Sequence, residues 1–121
     1  MEVVKIFLRS ILQDKKSKVA LFDTNRGGGI DDLVTEVVAG STVIWKPDYR
    51  SGIKEITRVY AKEGKGDFFG EFPRKMVLGR GVALKTPDDV KGEVVYGIDY
   101  IACDGRKLSV DPILKMIPPG P

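Results

Sequence analysis

Two sulfur-containing side chains near the end of the sequence are the first candidates for chemistry. The segment IACDGRKLSVDPILKMIPP (residues 101–119) carries Cys103 and, after a loop-like stretch, Met116. A thiolate and a thioether are soft ligands that suit copper, and a blue-copper centre combines them with two imidazoles. The chain contains no histidine, so it offers neither imidazole. We therefore predict no metal site, with Cys103 as a small buried residue at the end of a strand and Met116 as a core filler.

The absence of histidine also excludes catalysis by Ser-His-Asp or Cys-His groups and most zinc sites. An enzyme would have to rely on carboxylates, lysine, tyrosine or the single thiol. Aspartates are adjacent at positions 31–32 and 88–89, and two carboxylates that flank a cleft can act as acid and base. Adjacent aspartates in a strand point to opposite faces, however, and beside Gly or Pro they are typical of turns. We predict no catalytic residue and no cofactor, with a carboxylate-dependent hydrolase as an alternative.

Aromatic and guanidinium groups occur together in three loop-like stretches. WKPDYR (45–50) combines the residue types that are enriched at binding hot spots. GKGDFFG (64–70) places two phenylalanines beside lysines, which is typical either of a cap on the core or of a stacking platform for single-stranded nucleic acid. The third stretch follows Cys103. We expect Trp45 to belong to the core, and we predict a binding surface formed by Tyr49, Arg50, Phe68, Phe69 and Arg106.

The elements that must position these side chains are short β-patterned runs separated by Gly, Pro, Asp and Asn. In the first run Val4, Ile6 and Leu8 share one face. In the run GEVVYGIDYIAC, one face carries Val94, Tyr96, Ile98, Tyr100 and Ala102. The predicted strands are VVKIFLRSI, KVALF, LVTEVV, TVIW, IKEITRVYA, KMVL, VALK, GEVVYGIDYIAC, KLSV and ILKMI.

Two segments leave their structure open, and one strand has an ambiguous pattern. SILQDKKSK and DDLVTEVVA each have the length for a turn or two of helix, although the β-branched residues of the second favour a strand. In IKEITRVYA, alternation predicts Ile56 on one face and both Ile53 and Val59 on the other. GEVVYGIDYIAC would invite pairing between chains if it lay at a sheet edge.

The order of these runs resembles the cupredoxin-like β-sandwich family over residues 35–117. TEVVAGSTVIWKPD is similar to the family's glycine turn and the strand after it, and GEVVYGIDYIAC is similar to its late strand before the ligand loop. The resemblance implies a Greek-key sandwich in which the loops after Trp45 and Cys103 meet at one end. Without the histidine ligands, that end would present other groups to a partner. The matching residues are Gly40, Val43 and Trp45 in the first element and Gly92, Tyr96, Tyr100 and Cys103 in the second.

Length and composition agree with a single globular domain. The chain has 121 residues, of which 42% are hydrophobic and 31% charged, and this length fits one domain over residues 1–121. Many short strands at this spacing indicate an all-β fold. We predict a single-domain Greek-key β-sandwich, with a small β-barrel of the OB type as the alternative.

Charge and apolar patterning limit the partners. The net charge is +3, and the cations are spread along the chain, which favours solvated surface charges over a nucleic-acid block. No apolar run approaches the ~20 residues of a membrane-spanning helix. The first residues lack the pattern of a secretory signal, which predicts a cytoplasmic location by default, with an exported mature domain as the alternative. A single cysteine excludes an intrachain disulfide.

These observations together predict a non-catalytic binding or assembly module. Its partner would be a protein or another polymer, and pairing of edge strands could also make it a homo-oligomer. The alternative from the binding class is a β-barrel for single-stranded nucleic acid, for which affinity should fall steeply with salt. The alternative from the enzyme class is the carboxylate-dependent hydrolase.

Overall fold

The part of the chain that the structure describes consists mainly of β-strands. The computed structural model describes residues 3–13, 16–24, 28–30, 34–62, 74–75, 81–87 and 92–117. A 3₁₀ helix, Tyr49–Ser51, lies between the fifth and sixth strands. The strands are β1 (Val3–Gln13), β2 (Lys16–Asp23), β3 (Gly28–Ile30), β4 (Val34–Val38), β5 (Thr42–Pro47), β6 (Ile53–Ala61), β7 (Arg74–Lys75), β8 (Val82–Lys85), β9 (Gly92–Ala102), β10 (Lys107–Val110) and β11 (Ile113–Ile117).

The first sheet has the strand order β3-β2-β1-β5-β8-β7. The long strand β1 pairs antiparallel with β2, which places Phe7 opposite Phe22, and parallel with β5, which places Val4 beside Val43. The antiparallel pairing continues to Gln13 and Lys16. The described residues of SILQDKKSK are therefore strand, and the helical interpretation is wrong.

The second sheet is arranged around β9. Its partners β10 and β11 follow one another along the same edge with one continuous register, from Lys107 opposite Ile101 to Met116 opposite Gly92. On the other edge β9 pairs with β6, while β4 adds to β11 in parallel. GEVVYGIDYIAC is therefore a central strand with a partner on each edge, and the described part of DDLVTEVVA is a strand as well.

The two sheets confirm the all-β sandwich and overturn the barrel alternative. Each sheet contains both parallel and antiparallel pairs, and no strand of the described ranges belongs to both sheets. The described strands do not close into a barrel, so the OB-type interpretation is wrong. The predicted strand KMVL lies outside the described residues except for Lys75.

The core lies between the sheets and consists of side chains that alternate along each strand. Because successive residues of a strand point to opposite faces, Val4, Ile6 and Leu8 are buried together as predicted. Trp45 and Met116 are also buried, which confirms both core predictions. The predicted inner face of β9 is buried along its whole length, from Val94 through Tyr96, Ile98 and Tyr100 to Ala102.

Two buried polar contacts link the sheets. Trp45 Nε1–H of β5 donates to the Tyr96 hydroxyl of β9 at 3.0 Å, and their rings meet edge to face with centroids 5.6 Å apart. The Thr35 hydroxyl of β4 donates to the Asp23 carboxylate of β2 at 2.7 Å. Burial raises the pKa of the Tyr96 phenol far above its ordinary value. Each contact satisfies polar groups that would be costly to bury alone.

Strand β6 departs from simple alternation. Ile53, Ile56 and Val59 are all buried, although the sequence pattern predicts Ile56 on the face opposite the other two. The register of β6 against β9 shifts between Ile53 and Glu55 and again before Arg58. An extra residue in one strand reverses the side-chain direction locally. Because of these two shifts, side chains that are three residues apart along β6 lie on the same buried face.

Candidate binding surface

The structure brings together two of the loops that the sequence analysis selected. Arg50 lies in the 3₁₀ helix after β5, and Arg106 lies in the turn between β9 and β10; both side chains are exposed. The Cys103 backbone N–H donates to the Gly52 carbonyl at 2.8 Å, so both loops stand at one end of the sandwich. Among the other predicted residues, the side chain of Tyr49 lies outside the described part, and so do Phe68 and Phe69.

The 3₁₀ helix is held to β1 by a small polar network. Asp48 receives an ion pair from Arg9, with Nε and Oδ2 2.9 Å apart, and its backbone N–H donates to the Leu8 carbonyl at 2.7 Å. The Ser51 hydroxyl oxygen accepts the Ser10 N–H at 2.9 Å. Gly52 then turns the chain into β6 with a φ of 105°, which only glycine adopts readily. Arg50 is therefore presented by a loop of fixed geometry.

Arg106 is engaged with its own turn. Its Nε lies 2.7 Å from Asp104 Oδ2, and its backbone N–H donates to Asp104 Oδ1 at 3.1 Å. The hydrogen bond from the Arg106 backbone, followed by the one from the guanidinium, lowers the pKa of the Asp104 carboxyl. Gly105 occupies the tip with a φ of 91°. The guanidinium thus closes a local turn, which weakens the case for it as the centre of a binding site.

The two sulfur atoms are far apart. Cys103 is exposed in the turn after β9, so the prediction of a buried thiol is wrong. Ala102 points inward, so the next residue, Cys103, points outward, and it also lies in the turn. Met116 is buried and paired with Gly92 at the opposite end of β9, about 30 Å away at the usual rise of a strand. Within the described ranges, no three Cys, Asp or Glu residues stand close enough to hold a metal ion.

The outer face of the second sheet contains a shallow cavity of about 360 Å³. At its edge Asp99 of β9 accepts hydrogen bonds from the Ser109 hydroxyl at 2.7 Å and from the Tyr60 hydroxyl at 3.3 Å. The Tyr60 ring lies directly over Gly97, because a Cβ atom at Gly97 would stand 2.3 Å from the ring. The lining residues are Thr57, Asp99, Tyr100, Ile101, Lys107, Leu108 and Ser109.

Two lysines of this same face have a carboxylate beside them. Lys62 Nζ lies 2.7 Å from Asp111 Oδ1, and Lys115 Nζ lies 3.9 Å from Glu36 Oε1. The hydrogen bond that Lys62 donates to the Asp111 carboxylate raises the pKa of Lys62. We call the outer side of this sheet the paired face; it comprises Tyr60, Lys62, Gly97, Asp99, Ser109, Asp111, Lys115 and Glu36.

The outer face of the first sheet has a different composition. Phe7 and Phe22 are directly opposite each other on β1 and β2, and they remain 36% and 41% exposed. The Arg9 guanidinium lies 5.4 Å from the centre of the Phe22 ring. On the other side of β1, Lys46 of β5 is level with Phe7. The name basic face is used below for Lys5, Phe7, Arg9, Phe22, Ile44, Lys46 and Lys85.

Every charged group of the basic face is a cation. Where the structure describes side chains, the outward positions of β1, β2, β5 and β8 carry no carboxylate, because Asp23 points into the core. Lys5, Lys46 and Lys85 form no ion pair with a carboxylate of the described part of the chain. Arg9 alone is paired, with Asp48 at the rim. The face thus combines two exposed rings with three lysines that form no ion pair with a carboxylate of the described residues.

The sequence analysis missed this surface although part of its signal is visible. Alternation in VKIFLR predicts Lys5, Phe7 and Arg9 on the face opposite the core. Their grouping with Phe22 and Lys46 depends on the register of two different strand pairs. No known protein-family model and no curated protein matches the chain. No helix in the described ranges is long and apolar enough to cross a membrane.

Proposed function

We propose that this chain is a non-catalytic binding module that holds an anionic polymer on its basic face. The observation that carries the proposal is the pair of exposed phenylalanines, Phe7 and Phe22, among lysines that form no ion pair with a carboxylate of the described part of the chain. Soluble proteins expose scattered apolar groups routinely. Two adjacent aromatic rings bordered by positively charged side chains instead favour recognition of a negatively charged partner.

The mechanism follows from the flat geometry of a sheet. Lys5 and Arg9 lie two residues before and after Phe7, about 7 Å along β1 in each direction. Lys46 lies one strand away, about 5 Å across the sheet. An extended anionic chain on this surface meets a cation at each side of the rings and releases condensed counterions as it binds. The rigid sheet needs little ordering, which lowers the entropic cost of association.

The scaffold we propose is the Greek-key sandwich of the cupredoxin-like type. Its support is the parallel pairing of β1 with β5 and of β4 with β11 in two facing mixed sheets, together with Trp45 in the core. The loop end with Arg50 and Arg106 remains a predicted second contact region, and homo-oligomerisation and the hydrolase alternative also stay predictions.

The test uses heparin, a polyanion without bases, and two variants of equal charge. Lys5→Glu with Lys46→Glu changes the basic face, and Lys54→Glu with Lys115→Glu changes exposed lysines of the second sheet. Each pair changes the net charge by −4, from +3 to −1. We expect the first variant to bind heparin about tenfold or more weakly than the second, because local contacts add to the overall charge.

Circular dichroism and urea denaturation establish that both variants remain folded, so that lost binding is assigned to the surface. Equal weakening of heparin binding in the two variants would assign the attraction to net charge alone and reject the basic face. Absence of heparin binding by the unchanged protein at low salt would reject the proposed function itself.

A further inference from the structure

The aromatic pair of the basic face narrows the class of polymer. Charge alone requires only lysines and arginines, and it does not account for two phenylalanine rings at the centre of the cations. Phe7 and Phe22 are cross-strand partners, so their Cβ atoms are about 5 Å apart. Their rings stay partly exposed because Val4, Ile6 and Leu8 fill the core from the other side of β1. A ligand that uses this surface therefore has flat apolar groups as well as negative charges.

We infer that the polymer is a single-stranded nucleic acid whose bases stack on Phe7 and Phe22 while its phosphates meet Lys5, Lys46 and Lys85. This inference rests on the proposed function and names the ligand class of the same face. Bases stack on aromatic side chains irrespective of their identity, because every base has a π-face. The Arg9 guanidinium lies over the Phe22 ring and is anchored by Asp48, so its own planar face offers a base a further surface for stacking.

The preference for single-stranded over double-stranded nucleic acid follows from the parts of the bases that a flat protein surface can contact. In a duplex the base faces are covered by neighbouring bases, and only their edges are accessible from the grooves. The exposed rings of a sheet can contact base faces only when the bases are unstacked, as they are in single strands.

The chemistry of the rings also fixes the expected selectivity. Phenylalanine offers no hydrogen-bond donor or acceptor to a base edge. The described polar groups of the face are lysines and an arginine, which suit phosphates. The structure therefore assigns binding with little sequence preference and marked salt dependence.

The test compares three probes on the full chain: a thymidine 12-mer, a 12-mer of the same backbone without bases, and a 12-base-pair duplex. We expect the thymidine strand to bind about tenfold or more tightly than the abasic strand, and more tightly than the duplex. Affinity should fall with salt with a slope of about −0.7 per phosphate contact.

The variants separate stacking from charge. Phe7→Leu with Phe22→Leu keeps apolar side chains but removes the rings, and it should abolish the preference for the thymidine strand over the abasic strand. Its salt slope should stay unchanged. Phe7→Tyr with Phe22→Tyr restores stacking and should restore the preference. Lys46→Gln should reduce the salt slope by about 0.7 and weaken both strands alike.

Each contrary outcome has one meaning. Equal binding of the thymidine and abasic strands, with heparin binding still dependent on Lys5 and Lys46, overturns the nucleic-acid inference and leaves the anionic-polymer function standing. Duplex binding as tight as single-strand binding overturns it as well. Failure to bind any of these strands or heparin overturns both proposals.

Discussion

The outer faces of the two sheets use similar residue types in opposite ways. On the paired face, Tyr60 lies over Gly97, Asp99 accepts two side-chain hydrogen bonds, and Lys62 has Asp111 as its counter-charge. On the basic face, Phe7 is partly exposed and Lys46 has no carboxylate beside it in the described structure. The comparison teaches that exposure alone does not mark a binding surface. What distinguishes the basic face is that its cations surround two exposed rings, and that only Arg9 among them is paired with a carboxylate of the described residues.

The largest effect on stability should appear where Tyr60 covers Gly97. Gly97→Ala places a methyl group where the Tyr60 ring lies and should lower the free energy of unfolding by about 1–2 kcal/mol. In a Tyr60→Ala background the space is open, and the same change should raise the free energy of unfolding by about 0.5 kcal/mol, because glycine weakens a strand. Urea denaturation of the unchanged protein, the two single variants and the double variant measures this reversal of sign. A methyl group with the same effect in both backgrounds would mean that the ring does not occupy this position.

A smaller loss is expected from Asp99. Asp99→Ala removes the acceptor of Ser109 and Tyr60 and should lower the free energy of unfolding by about 1 kcal/mol. Asp99→Asn retains one carbonyl oxygen and should recover part of that loss. Chemical denaturation at neutral pH measures both. If Asp99→Ala left the free energy of unfolding unchanged, the paired face would contribute no more to stability than the basic face. The contrast between the two faces would then be wrong.

Lysines of the basic face should contribute little to folding. Lys5→Gln and Lys46→Gln remove charge without removing a described ion pair, so each should change the free energy of unfolding by no more than about 0.5 kcal/mol. Thermal and urea denaturation at low salt provide the measurement. A large destabilisation by either glutamine would show that the fold itself depends on these cations, which would weaken their assignment to a ligand.

The smallest effect concerns the ion pair of Lys62. The Asp111 hydrogen bond raises the pKa of Lys62 above its ordinary value of 10.5, so Asp111→Asn should lower that pKa. A raised lysine pKa favours folding below the unfolded value and loses this contribution as pH rises through the folded value. The stability advantage over Asp111→Asn should therefore shrink above about pH 10.5. An NMR titration of the Lys62 side chain measures the pKa. If Asp111→Asn left this pKa unchanged, the ion pair between Lys62 and Asp111 would not form in solution.

Much of the fold was readable from the sequence because the side-chain period of a strand is two. Val4, Ile6 and Leu8 alternate with charged or exposed residues, and no other regular structure buries that pattern on one face. The same rule, applied to the end of β9, would have placed Cys103 outward, since Ala102 faces in. The error there came from treating cysteine as a generic buried residue and not from a gap in the pattern.

The candidate site was readable only in part. The sequence selected loops, and the structure joins two of them through the Cys103–Gly52 hydrogen bond, yet the Arg106 guanidinium is held by Asp104. A local contact of this kind follows from turn geometry, which residue types alone do not specify. The basic face, which has the better support, is formed by residues of several strands and is therefore not visible in any single segment of the sequence.

The sequence by itself determined most of the described strands, the inward faces of β1 and β9, and the absence of imidazole chemistry, because these depend on local order and composition. Tertiary structure decided the bulged register that buries Ile56, and it brought Phe22 and Lys46 to either side of Phe7. The physical reason is that strand pairing joins residues distant in the chain, and a shift of one residue would turn each side chain to the other face. Neighbours across a sheet are therefore set by register, which the whole fold selects.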